Sequence, residues 1–231
     1  MTAETPPANG QKLMPHQQAL IEAFLGESAS QAYVARWDVG LGKSWTTPHL
    51  VKRFLELKPS GRILVLSPAR ALALHSHHRL NSLGVRADLV DRFRYREMQD
   101  ALSDGAVMWP EGGVFVLGID FAKQQDVAAS LCLVPWTLLI ADEAHALKGQ
   151  RESVIRGVVA SSPGIRVLLL GVPGVGDTPA LGIGDWAHST VRRSDIVDAA
   201  GHPLMAAPVV RSTQPQPNGA ELQLQATIDE L

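Results

Sequence analysis

The sequence predicts an α/β fold in which a parallel β-sheet carries helices on both faces. Short apolar runs, typical of buried strands, alternate along the chain with stretches of helical apolar spacing. A glycine-rich segment and an acidic segment directly follow two of these runs. Since ligands of such sheets bind beyond the carboxyl ends of the strands, both segments lie where a site is expected.

The predicted elements begin after a leader, residues 1–11, that we expect to be disordered. The apolar spacing predicts helices at 16–25, 43–57, 69–80, 121–131, 152–160 and 221–231, and strands at 32–37, 62–67, 114–117, 137–141 and 167–170. Residues 12–175 form the predicted lobe, and 176–231 form an extension rich in Gly, Pro and Ala with a short C-terminal helix. Pro48 lies inside the second helix and should cost about 3 kcal/mol unless that helix kinks.

The composition limits the classes of function. The chain has 231 residues, 45% hydrophobic and 19% charged, which suits a globular protein with a full core. Its formal charge of −2 argues against nucleic-acid binding through bulk positive charge. Cys132 is the single cysteine, no signal segment is recognisable, and the longest apolar run is too short for a bilayer. We therefore expect a soluble, cytoplasmic protein without a membrane partner.

The glycine-rich segment, residues 38–44, is typical of a loop that binds phosphates. Gly40 and Gly42 allow positive φ, so that the backbone amides around Leu41 can approach phosphate oxygens. Lys43 would neutralise the β- and γ-phosphates, and the hydroxyl of Ser44 would bind Mg²⁺. The strict pattern has a small residue five positions before the second glycine, where this chain has a tryptophan.

The acidic segment supplies the remaining groups that a nucleoside triphosphatase needs. Asp142 would hold Mg²⁺ through its water shell, and Glu143 would orient and deprotonate the attacking water. His145 could sense the γ-phosphate position and pass that state to the rest of the lobe. Together the two segments predict ATP and Mg²⁺ as ligands, with Lys43, Asp142 and Glu143 as the catalytic groups.

These motifs resemble the first RecA-like lobe of superfamily-two helicases, and more narrowly the Swi/Snf-type translocases of double-stranded DNA. The resemblance rests on Asp-Glu-Ala-His at 142–145, on the glycine loop, and on Leu-Met-Pro-His-Gln at 13–17. Further segments are similar in the family's order, at 63–68, 117–123, 136–140, 191–196 and 201–204. The resemblance covers residues 12–231 and implies a RecA-like sheet of the P-loop NTPase kind.

The resemblance also implies roles for individual residues and partners. Gln17 would read the adenine edge, since an amide offers both a donor and an acceptor. The loop after the second strand, with Ser67, Pro68 and Arg70, would touch the DNA backbone. Duplex DNA would bind weakly to this chain alone, and a second RecA-like lobe would act in cis or in trans. Independently, the alternation of basic and aromatic residues at 92–96 offers Arg92 and Arg94 as DNA contacts.

Departures from the family pattern leave a second function open. Residues 171–173 are Gly-Val-Pro. At this place the family has two hydroxyl-bearing residues that link the acidic segment to the second lobe. The chain ends where we expect that second lobe, with its arginine finger, to begin. The leading interpretation is an ATPase lobe whose hydrolysis is weak in isolation. The alternative is a degenerate, non-hydrolysing nucleotide-binding or protein-interaction module. A P-loop kinase fits the acidic box poorly.

Overall fold

A seven-stranded, wholly parallel sheet organises the structure, a computed structural model that describes residues 12–26, 29–103, 107–174, 181–198 and 201–203. The strands are β1 (Ala32–Trp37), β2 (Ile63–Ser67), β3 (Ala87–Leu89), β4 (Val114–Gly118), β5 (Leu138–Ala141), β6 (Arg166–Gly171) and β7 (Trp186–Val191). Their order is β3-β4-β2-β5-β6-β1-β7, and every neighbouring pair is parallel. The predicted fold class is confirmed.

Seven helices connect the strands in the described part of the chain. They are α1 (Pro15–Leu25), α2 (Lys43–Leu57), α3 (Arg70–Ser82), α4 (Arg92–Asp100), α5 (Ile119–Ala122), α6 (Gln125–Leu131) and α7 (Gln150–Ala160). Short 3₁₀ turns occur at Ala144–Ala146 and Arg193–Asp195. None of the helices in the described ranges is long and apolar enough to cross a bilayer.

The core explains why the strands read as continuous apolar runs. Leu64 and Leu66 of β2 belong to one buried cluster with Val127 of α6 and Ile155 of α7. Residues on the opposite pleat, such as Val65, are buried as well. A strand that is covered on both faces needs apolar side chains at successive positions, which matches the sequence pattern.

Four elements differ from the sequence expectation. β3 is too short and half-exposed to give an apolar run, and β7 lies at the sheet edge with alternating exposed residues. α4 buries only Tyr95, while Phe93 is exposed and Met98 is half-buried, so apolar periodicity does not reveal it. The helix expected at 121–131 is divided into α5 and α6.

α2 continues through Pro48 from Lys43 to Leu57. In the turn before the proline, the hydroxyls of Thr46 and Thr47 donate to the carbonyls of Gly42 and Lys43, at 3.0 Å and 3.2 Å. The carbonyl that loses its donor to Pro48 is that of Ser44, four residues earlier, so these side-chain bonds brace the preceding turn and do not replace the missing N–H.

Two compact units divide the chain at Arg192, and the sheet belongs to the first. In the second, a β-bridge joins Val197 and Pro203. β7 lies within the segment 176–231 that the sequence suggests is an extension. The predicted division into leader, lobe and extension stays a prediction, and the leader and the helix expected at 221–231 lie outside the described residues.

Candidate functional site

The glycine loop connects β1 to α2 in a backbone conformation that requires glycine. Gly40 has φ +91°, and Gly42, the N-cap of α2, has φ +80°. A Cβ on Gly42 would lie 2.2 Å from Nε2 of Gln17, a side chain that is itself buried. Leu41 between them is buried and fixes the loop to the core. Both glycines are therefore needed for this turn.

Lys43 turns its ammonium group back into the loop. Nζ donates to the carbonyl of Trp37 at 2.6 Å and to that of Asp38 at 3.4 Å. Burial lowers the pKa of Lys43, and the negative charges of Glu143, Asp142 and Asp38 oppose that shift. The lysine is thus a partly desolvated cation within the electrostatic reach of both acidic residues.

Gln17 and His16 hold the loop from α1. Nε2 of Gln17 donates to the carbonyl of Leu41 at 3.1 Å, and its Oε1 accepts from the backbone N–H of Met14 at 2.9 Å. Nε2 of His16 lies 3.0 Å from the same Leu41 carbonyl, so this nitrogen carries the proton. The amide of Gln17 faces the phosphate loop in this arrangement, and its contact with adenine stays a prediction. His16 lies within the segment 13–17 on which the resemblance rests, but the sequence offers no reason to assign it a role.

Trp37 fills the position where a small residue is usual. Its ring is fully buried and meets His16 edge-on at 4.9 Å between centroids. Its Nε1 donates to Oγ of Ser189 in β7 at 3.2 Å. The departure from the strict pattern is therefore compensated, because the tryptophan ties the start of the loop to α1 and to the edge strand.

The acidic segment emerges from β5 in a strained turn. Oδ1 of Asp142 accepts from the backbone N–H of Glu143 at 2.9 Å, and Glu143 has φ +51°, the one positive φ of a non-glycine residue in the described ranges. Such a conformation costs about 1–3 kcal/mol and is typical of functional sites. Burial raises the pKa of Asp142, as does Glu143, while Lys43 and His145 lower it.

His145 and residue 171 lie next to this turn. Nδ1 of His145 is 3.2 Å from Oε2 of Glu143, without the alignment of a hydrogen bond. A Cβ placed on Gly171, at the end of β6, would be 4.0 Å from Cβ of Ala144. The acidic turn therefore packs beside the segment where the resemblance leads us to expect hydroxyl groups.

The glycine loop and the acidic segment lie at the same edge of the sheet, but they do not follow neighbouring strands. From the sequence we expect Lys43 and Ser44 to pair with Asp142 across the ends of neighbouring strands. This expectation is wrong, because β6 lies between β1 and β5. Lys43 nevertheless interacts with both carboxylates, and Ser44 occupies the second position of α2, half-buried.

The residues expected to contact DNA do not share one environment. Pro68, Arg70 and Arg92 line a cavity of about 330 Å³ beyond the carboxyl ends of β2, β3 and β4. Arg94 is exposed on α4. Ser67 is only 1% exposed, and its hydroxyl is buried without a partner, so a direct contact of Ser67 with DNA does not fit this structure.

Sequence comparisons place the chain among helicases. The family model of the DEAD/DEAH box helicases matches residues 14–170. An uncharacterized ATP-dependent helicase YqhH of Bacillus subtilis is 27% identical over 138 residues, which are 60% of this chain and 22% of that protein. The RNA polymerase-associated protein RapA of Yersinia pseudotuberculosis is 26% identical over 163 residues, 68% of this chain and 16% of that protein. The chain thus spans about a fifth of the length of these relatives.

Solved structures agree with this fold. A DEAD box protein from Methanococcus jannaschii gives a TM-score of 0.55 over 76% of this chain and 48% of that one. The Pyrococcus furiosus Hef helicase domain gives a TM-score of 0.54 over 76% of this chain and 37% of that one. The Sulfolobus solfataricus SWI2/SNF2 ATPase core in complex with dsDNA gives a TM-score of 0.54 over 71% of this chain and 32% of that one. At 16% identity each, these likenesses establish the fold alone.

Proposed function

The chain belongs to the DEAD/DEAH box helicase family, and we propose that it is an ATP–Mg²⁺-binding lobe of a Swi/Snf-like translocase of double-stranded DNA. In this proposal a second RecA-like lobe completes the motor, in cis or in trans. Binding and hydrolysis of ATP would then be coupled to movement along the duplex.

The observation that carries the proposal is the convergence of one cation and two carboxylates at one sheet edge. The charge of Lys43 acts on both Asp142 and Glu143 although the segments are about a hundred residues apart in sequence. A loop that presents backbone amides and a lysine suits phosphates, and a carboxylate opposite it suits a hard dication.

The donor set fits Mg²⁺. The carboxylate of Asp142 is half-buried and burial raises its pKa, so a nearby dication would stabilise its ionised form. The hydroxyl of Ser44, at the start of α2, is the second ligand in the proposal. Mg²⁺ held by Asp142 and Ser44 would supply neutralisation of the phosphate charge. Lys43 would exchange the Trp37 carbonyl for phosphate oxygens.

Glu143 and His145 divide the remaining roles. Glu143 has a strained backbone conformation, and in the proposal its carboxylate would orient a water and accept its proton. His145, 3.2 Å from that carboxylate, is placed to report its protonation or ligation to the rest of the lobe. The hydrogen bonds of Gln17 and His16 to Leu41 would set the position of the loop.

Isothermal titration with ATP tests the nucleotide site. The protein should bind ATP in the presence of Mg²⁺ and more weakly in EDTA. Lys43→Ala should lower the affinity by about 10–100-fold, since a hydrogen bond to a charged group contributes about 1.5–3 kcal/mol. Lys58→Ala, which removes an exposed lysine at the far end of α2, is the matched control. Equal affinity of the Lys43 variant and the control would refute the assignment.

The second candidate function is a non-hydrolysing nucleotide-binding or protein-interaction module. One observation favours it, namely that residues 171–173, beside the acidic turn, carry no hydroxyl. The two candidates differ in turnover. If a supplied second lobe and duplex DNA give no ATP hydrolysis above the Glu143→Gln background, the module is the better description.

A further inference from the structure

The face beyond the carboxyl ends of β2, β3 and β4 carries arginines that already have carboxylate partners. Arg70 is the first residue of α3, and its Nη2 donates to Oδ2 of Asp91 at 2.8 Å. The other oxygen of Asp91 accepts from the backbone N–H groups of Phe93 and Arg94, at 3.1 Å each, and caps α4. One carboxylate therefore caps a helix and neutralises an arginine at the cavity edge.

Arg92 is held more firmly. Its guanidinium donates to both oxygens of Asp126, at 2.5 Å and 3.4 Å. It also lies 5.2 Å from the ring centroid of Phe121 and 5.7 Å from that of Tyr95. This ion pair joins α4 to α6 across the side of the same cavity. The guanidinium of Arg94 also pairs with carboxylates, and lies 3.3 Å from Oε2 of Glu97 and 3.7 Å from Oδ1 of Asp88.

Such pairs have a specific consequence for binding a polyanion. Exposed ion pairs are weak, so a phosphate can displace the carboxylate. An arginine that stays with its aspartate contacts no phosphate and therefore releases no counterion from the DNA. The release of counterions, which normally drives association with DNA, is then smaller by the contribution of that arginine.

We propose that Asp91 and Asp126 act as internal competitors of the nucleic-acid backbone for Arg70 and Arg92. The partner of this face is a phosphodiester backbone, and the two aspartates set the affinity and the salt dependence with which it binds. This inference rests on the proposed role in DNA binding, and it adds a regulating element that belongs to this chain's own residues.

Removal of the competing charges tests the proposal. Asp91→Asn keeps a good N-cap for α4, and Asp126→Asn is nearly isosteric. Binding of a fluorescent DNA duplex is measured by anisotropy from low to physiological salt. Each variant should bind about two- to fivefold more tightly than the wild type at low salt. The slope of log K against log salt should steepen by about 0.9 for each released arginine.

Double-mutant cycles separate competition from a general change of charge. Asp126→Asn should have no effect in an Arg92→Gln background, and Asp91→Asn should have none in an Arg70→Gln background. Glu111→Gln is the control for net charge, because it removes one exposed carboxylate that precedes β4 at the other end of the sheet. Thermal unfolding of each variant verifies that it is folded.

Three results would overturn the proposal. The aspartate variants could gain affinity equally with and without their arginines, they could match the wild type in affinity and slope, or no variant could bind duplex even at low salt. ATP binding by the same preparations is the independent check. A protein that retains Mg²⁺-dependent ATP binding but gives one of these results refutes the competitor role and leaves the nucleotide site standing.

Discussion

Asp142 shows at the scale of one residue how the proposed function conflicts with stability. Burial raises the pKa of its carboxyl, and the neighbouring Glu143 raises it further. A folded-state pKa above the unfolded value of 3.8 means that the contribution of Asp142 to stability is largest at low pH. That contribution is lost as the pH rises through the folded-state pKa. Near neutrality the ligand-free protein therefore holds a carboxylate that opposes folding.

Asp142→Asn should stabilise the ligand-free protein at neutral pH by about 0.5–2 kcal/mol, the range of single stabilising substitutions. The difference in unfolding free energy between variant and wild type should grow as the pH rises above 4, because only the wild type ionises there. Urea unfolding over a series of pH values measures this difference in unfolding free energy. Because other carboxyls are the same in both proteins, the difference reports Asp142 alone. One such carboxyl is Asp91, whose pKa is lowered by the hydrogen bond from Arg70. A variant less stable than wild type throughout this range would contradict a destabilising effect of the ionised Asp142 carboxylate.

Gly42→Ala should destabilise the protein by about 1–3 kcal/mol, since it combines positive φ with a Cβ only 2.2 Å from Nε2 of Gln17. Gly84→Ala is the matched control. Its φ is +77°, nearly the same, but a Cβ there would meet nothing within 4 Å. Thermal unfolding of both variants should show the larger loss for Gly42→Ala. Equal losses would mean that the contact with Gln17 places no constraint on the loop.

At the scale of elements, capping explains a helix that apolar periodicity misses. α4 is a polar helix with a single buried residue, and its first turn depends on the carboxylate of Asp91. Asp91→Ala should cost about 0.5–2 kcal/mol of stability, whereas Asp91→Asn should cost a few tenths at most, because asparagine also caps well. Denaturant unfolding compares the two. If both lose the same amount, the pair with Arg70 rather than the cap stabilises α4.

The elements that could be predicted from sequence are those with a signal of their own. β2 and β5 are buried on both faces and read as apolar runs, and the glycine loop and acidic box follow recognisable spacings. β7 could not be predicted, because an edge strand needs few apolar residues and takes its place by pairing with β1. The order of the strands in the sheet could not be predicted either, because local sequence patterns do not encode it. The position of β6 between β1 and β5 is therefore known only from the structure. The same holds for His16, whose contact with Leu41 spans α1 and the loop.

At the scale of the whole molecule, the proposal that this lobe acts with a second one predicts slow turnover by the lobe alone. An arginine finger contributes about 10³–10⁵ in rate to phosphoryl transfer, and the resemblance assigns it to the second lobe. The 231-residue chain should therefore hydrolyse ATP barely above background, with little or no stimulation by duplex DNA. A steady-state phosphate-release assay checks this. Robust DNA-stimulated turnover that Glu143→Gln abolishes would show that the chain is a complete motor.

The proposal that the glycine loop and the acidic box hold one ligand is tested most directly by a double-mutant cycle in ATP affinity. Isothermal titration with ATP and Mg²⁺ compares the wild type, Lys43→Ala, Asp142→Asn and the double variant. If phosphates and metal bind between these residues, each single change weakens binding, the loss on removing Mg²⁺ disappears in Asp142→Asn, and the double variant loses less than the sum of the single losses, by at least about 0.5 kcal/mol. Additive losses, or an Asp142→Asn variant that keeps the Mg²⁺ dependence of the wild type, would show that the two segments do not share a nucleotide.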